Sequence, residues 1–161
     1  MIAFYFVAVT LILAYLGYTI IKFREIPISI SDTYYMWKEL KMEWLFTFTM
    51  WVTAITIVVY WVSEAELYRC QFLCFTSIAG MGFVGGAAMF KETLTKATHY
   101  ISAGLWAVSA ILFFAINGMF LPLWIGTVAG LVGMLCNRWK NTTFWLEIAV
   151  VVAMIFGIAL L

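Results

Sequence analysis

The chain has 161 residues, of which 66% are hydrophobic and 11% charged, with a net charge of +1 and a mean hydropathy of +1.04. A soluble domain of this length needs far more charge to cover its surface, so composition excludes that class. The near-neutral balance and the lack of a dense basic cluster exclude nucleic acid as a partner.

Runs of about 20 apolar residues read as bilayer-spanning helices, because the hydrocarbon core is about 30 Å thick and a helix rises about 1.5 Å per residue. Six such runs are present, at about 2–22, 42–62, 70–90, 98–116, 120–137 and 142–161. The expected fold is one all-α polytopic domain covering residues 1–161, a bundle of six transmembrane helices. The first run lacks a basic leading segment and a small-residue cleavage site, and is expected to be a retained span.

The polar stretch PISISDTYY, residues 27–35, follows it. Pro27 stops continuation of the first helix. Ser29 or Ser31 can cap the next one, and Asp32 favours the positive end of its dipole. Trp37, Leu40 and Trp44 share a stripe at helical spacing, and Tyr34, Tyr35, Lys38 and Lys41 are types that anchor at a headgroup boundary. The pattern predicts a short amphipathic interfacial helix leading into the second span. Glu39 and Glu43 lie four apart where that span begins, and Thr47, Thr49, Thr53 and Thr56 follow within it.

The third span carries Cys70 and Cys74, four apart on one helix face and read as inert thiols over a metal pair; Cys136 stands alone. No metal-site or haem-attachment spacing is present, and no metal or cofactor is expected. GMGFVGG, residues 80–86, matches the letters of a dinucleotide fingerprint, but no strand precedes it. Gly82 and Gly86 lie one turn apart, as do Gly126 and Gly130 in the fifth span, and small residues at this spacing let helices approach closely in lipid. Either face is expected to serve close packing, including contact with a second copy of the chain.

The fourth span opens with the only histidine, His99, with Ser102 close behind. Glu147 lies in the sixth, five residues beyond Thr142 and so about 7–8 Å along the helix from its start. An intramembrane carboxylate is costly unless paired or near water, which makes it a functional candidate, expected to point inward toward His99, Ser102 or another polar group. The alternative is snorkelling, or pairing with Lys140 or Arg138. His99 could move a proton near neutral pH, or serve as an interfacial cap.

Lys22, Arg24, Lys38, Lys41, Lys91, Lys96, Arg138 and Lys140 all fall on the side reached at the end of the first span, and only Arg69 falls opposite. That side is expected to be cytoplasmic, with both termini external. His99 and the acidic groups then meet at the inner leaflet. Asp32, His99 and Glu147 are the candidate catalytic groups, and Ser29, Ser31, Glu39, Glu43 and Ser102 the candidate binding groups.

Pro27-x-Ser29-Ile30-Ser31 after the first span, and HYISAGLWA opening the fourth, resemble the FGF-receptor-activating-protein family, which includes lipid-remodelling factors for GPI anchors and bacterial multi-span relatives. The motifs cover residues 27–31 and 99–106. The resemblance implies lipid as the ligand class and makes Ser29, Ser31 and His99 the transferable positions. Three functions stay open: a lipid-handling enzyme or accessory factor, a protomer of a small transporter or channel, and a non-catalytic membrane component.

Overall fold

In the computed structural model the described residues are 2–87 and 93–161. Among them every regular element is helical: α1 (Ile2–Phe23), α2 (Thr33–Lys38), α3 (Trp44–Glu64), a 3-10 turn (Ala65–Leu67), α4 (Phe72–Ala87), α5 (Thr93–Ile116), α6 (Phe120–Cys136) and α7 (Thr142–Ala159). Four helical stretches are long and apolar enough to cross a membrane: Ile2–Phe23, Trp44–Leu67, Thr98–Ile116 and Thr142–Ala159. The helices α4 and α6 are equally apolar but shorter, with 16 and 17 residues. Large apolar side chains point outward, among them Ile21, Ile101 and Trp124 at 75%, 70% and 68% exposure. Exposure on this scale is costly in water and favourable in lipid, compatible with a polytopic membrane protein.

Antiparallel neighbours supply most of the packing. The most extensive interfaces are α4 on α5 and α6 on α7, with α3 held between α1 and α4. Trp61, Phe113 and Phe114 form a buried aromatic centre, with Trp61 stacked on Phe114 at 5.8 Å between ring centroids. One end of the bundle is tied by a reciprocal pair. Arg69 N–H donates to Asn117 Oδ1 at 2.8 Å, and Asn117 Nδ2 donates to the Arg69 carbonyl at 3.0 Å.

The glycine expectation is corrected in its register. A Cβ added at Gly82 or Gly86 would meet nothing within 4 Å, so that face is open. The close approaches run through Gly80, where a Cβ would come within 2.6 Å of the Trp106 nitrogen of α5, and Gly85, where it would come within 2.7 Å of Met50 of α3. Spacing alone does not say which of two glycine faces meets a neighbour. Gly126 and Gly130 do serve close packing, but within the chain. Added Cβ atoms there would each come within 2.8 Å of an α7 side chain, Ala153 and Ala149 respectively. That face is occupied by α7.

The first helix ends earlier than Pro27 requires. Arg24 takes a left-handed conformation, φ 56°, and its N–H donates to the Ile20 carbonyl at 2.8 Å. This closes the last turn as an αL cap. The interfacial-helix expectation is also corrected. α2 has only six residues, and Trp37 is buried in the bundle while Leu40 and Trp44 are exposed at 45% and 57%. The stripe breaks because Lys41 is left-handed, φ 57°, and re-aims the chain into α3. Trp37 goes inward because it has a partner there. Its indole N–H donates to Thr19 Oγ1 at 2.9 Å, with Tyr18 stacked at 5.4 Å and Phe23 edge-on at 5.2 Å.

Candidate functional site

The connector between α1 and α2 is stitched to the start of α7 at every second residue. Asn141 Nδ2 donates to the Ile26 carbonyl at 2.5 Å. Phe144 N–H donates to the Ile28 carbonyl at 3.0 Å. Glu147 Oε2 accepts the Ile30 N–H. On α7 these partners are three residues apart, so they lie on one face. Phe144 N–H is one of the donors a helix start leaves without an intrahelical acceptor, and the connector satisfies it. Asn141 tolerates the left-handed φ of 53° found there, as asparagine does more readily than most residues.

The connector folds on itself through its own polar side chains. Ser29 Oγ accepts the Asp32 N–H at 3.1 Å and lies 3.0 Å from Ser31 Oγ. Asp32 Oδ2 accepts the Ile28 N–H at 3.2 Å. Asp32 stands at the start of α2 but makes no side-chain cap bond to that helix. The expected serine cap is therefore found one step earlier, in the turn that precedes α2.

Beyond Ile30 the hydrogen bonds continue into the core. Thr33 Oγ1 donates to the Ile30 carbonyl at 2.5 Å and accepts from Tyr15 OH at 2.8 Å. Thr19 Oγ1 donates to the Tyr15 carbonyl at 2.8 Å and accepts from Trp37. Thr33 and Thr19 are fully buried. Each hydroxyl uses both its donor and an acceptor, as a buried hydroxyl must to avoid a desolvation penalty. A chain of polar contacts thus runs from Glu147 through the connector to Trp37.

Comparison with protein-family models, curated proteins and solved structures finds no match for this chain.

Four of the sequence-predicted residues, Ser29, Ser31, Asp32 and Glu147, therefore meet in one polar knot. The inward placement expected of Glu147 is found, but its partner is a backbone N–H and not His99 or Ser102. His99 is half-buried on α5 with its ring 5.9 Å from that of Tyr100. Among the described residues no hydrogen bond joins it to Asp32 or Glu147. Ser102 is buried, and its carbonyl lies at the close approach of α5 to Gly80. Glu39 is exposed on the turn after α2. Glu43 opens α3 with one carboxylate oxygen, Oε2, buried and without a partner. Cys70, Cys74 and Cys136 are free thiols. No group of three or more metal-ligating side chains occurs among the described residues.

Thr56 bonds its own helix and Thr47 donates to the Gly85 carbonyl at 3.3 Å. Thr53 borders a central cavity of about 20 Å³, lined also by Ile12, Met81, Trp106 and Met154. That volume suits about one water molecule.

Tyr15, Thr19, Thr33 and Asn141 were not singled out by sequence reasoning. A weak signal exists for two of them. Tyr15 and Thr19 are polar residues four apart in an otherwise apolar span, which places them on one helix face. Asn141 carries no signal before its helix partner is known.

Proposed function

We propose that this chain is a six-span membrane protein that handles lipid at the surface where the connector meets α7. The observation that carries the reading is the Glu147 carboxylate, placed within an apolar helix and held at the polar connector by the Ile30 N–H. A carboxylate has about four acceptor sites, and the hydrogen bond to Ile30 uses one of them. Asp32 and the serines position the connector in this reading, and direct lipid contact falls to Glu147. The resemblance of PISIS and of the His99 segment to the FGF-receptor-activating-protein family points to the same ligand class.

The count of six rests on packing. α4 lies along α5 and α6 along α7. Two short apolar helices paired side by side with membrane-length ones share the same slab, and a helix short of the hydrocarbon thickness is accommodated by local thinning or by its flanking residues. The basic loops then face the cytoplasm and both termini face outward. A channel is disfavoured in this reading because the cavity beside Thr53 holds only about one water molecule and is lined mainly by apolar side chains.

The test is native mass spectrometry of the protein released from lipid nanodiscs, with the variants Glu147→Gln and Glu147→Leu. Glutamine keeps an acceptor for the Ile30 N–H, so helix content and monodispersity should match the wild type while bound lipid falls. Leucine removes the acceptor and should also loosen the connector, seen as faster proteolysis between residues 24 and 32. If Glu147→Leu retains both lipid and fold, Glu147 is needed for neither and this reading fails.

A further inference from the structure

We infer that Arg24, Arg138 and Lys140 form a docking surface for the phosphate of an anionic membrane lipid. This rests on the lipid-handling reading above and names the headgroup class.

The stitching brings these residues to one place. Asn141 donates to the Ile26 carbonyl, so the turn after α1 and the turn before α7 are in contact. Arg24 is two residues from one end of that hydrogen bond, Lys140 is next to the other, and Arg138 lies two further along the same turn. All three are exposed, as is Lys22 in the last turn of α1. Among the described residues none of the four makes an ion pair. The acidic groups nearby are Glu25, which is exposed, Asp32, whose carboxylate accepts the Ile28 N–H, and Glu147, whose carboxylate accepts the Ile30 N–H. Four basic groups against three carboxylates leave the patch net positive.

The local backbone gives a second reason. Arg24, Arg138 and Trp139 are left-handed, with φ of 56°, 51° and 61°. Glycine adopts this conformation without penalty. Here the positions hold two arginines and a tryptophan instead, so each turn presents a long side chain where the fold alone would be served by none. Trp139 is 59% exposed, and tryptophan with arginine or lysine is the pairing that settles at a headgroup boundary. Next to the patch, α1 presents Tyr18 and Ile21 and α6 presents Leu135, each more than half exposed, as apolar surface for acyl chains. Guanidinium groups match phosphate oxygens in charge and geometry. Uncompensated basic groups between helix ends are the arrangement that holds anionic headgroups.

The experiment uses the full chain in nanodiscs of phosphatidylcholine and phosphatidylglycerol in equal parts, with retained lipid counted by native mass spectrometry. The wild type should retain phosphatidylglycerol in excess. Each of Arg24→Gln, Arg138→Gln and Lys140→Gln should reduce that preference by about fivefold, and the triple variant should abolish it. Arg69→Gln, at the other end of the bundle, should leave it unchanged. Arg24→Gly separates binding from folding, because it relieves the left-handed strain. It should keep or raise the unfolding temperature and still lower the preference. Equal retention of the two lipids by the wild type overturns the headgroup assignment while the lipid-handling reading stands. Retention of no lipid overturns both. An equal loss from Arg69→Gln shows bulk charge attraction and overturns the site.

Discussion

Thr33 is a single hydroxyl with two obligations. It supplies the acceptor for Tyr15 OH and the donor for the Ile30 carbonyl, and it has no access to solvent. Replacing it with valine keeps the shape and leaves two buried groups without a partner, a cost of about 1–3 kcal/mol. Thr33→Val should therefore lower the thermal midpoint of the protein in detergent, whereas Thr10→Val on the exposed face of α1 should not. Equal midpoints for the two variants would show that the contacts from Glu147 to Trp37 do not act as a structural chain. Little of this was legible in the sequence. Thr33 stands among residues that read as headgroup anchors, and its role exists only once α1 and the connector are side by side. Glu147 was legible, because a carboxylate in an apolar helix has few places to go. The identity of its partner was not, since any backbone N–H carries no sequence signature.

The same contrast holds for whole elements. The helices fall where hydropathy places them, because a long apolar run has few alternatives. Their faces are harder to read. In α4 two glycine pairs compete, and only the packed structure shows Gly80 and Gly85 to be the contact positions. The amphipathic stripe of the connector failed for a related reason. Periodicity assumed that the helix continues past Lys38, and the left-handed Lys41 ends that assumption. A substitution pair tests the assignment of faces. Gly126→Ala would press a methyl group onto α7, where a Cβ would come within 2.8 Å of Ala153, and overpacking of this kind costs about 1–3 kcal/mol. Gly82→Ala meets open space and gains up to about 1 kcal/mol of helix propensity. The expected result is a lower unfolding temperature for the first variant and an equal or higher one for the second. The reverse order would show that α6 and α7 are not in contact through Gly126.

For the molecule as a whole, the two ends are distinguished by what ties them. Arg69 and Asn117 hold one end, and the connector stitched to α7 holds the other. Lys22, Arg24, Lys38, Lys41, Arg138 and Lys140 belong to the second end, while Arg69 belongs to the first; Lys91 lies outside the described residues. A basic bias of this kind sets orientation through the loops that stay in the cytoplasm. Reporter fusions should then be cytoplasmic after Lys140 and external at Glu64–Glu66. A fusion between Lys91 and Lys96 decides the number of crossings. If α4 spans, that site lies on the same side as Lys140 and the reporter reads cytoplasmic. If only the four membrane-length helices cross, α4 returns the chain to the side of Glu64–Glu66 and the reporter reads external. α4 packs closely along α5 at Gly80, and on the six-span proposal the cytoplasmic result is expected. An external reading at that one site, with the reporter after Lys140 still cytoplasmic, would remove α4 and α6 as the third and fifth spans and leave the orientation of the first two unchanged.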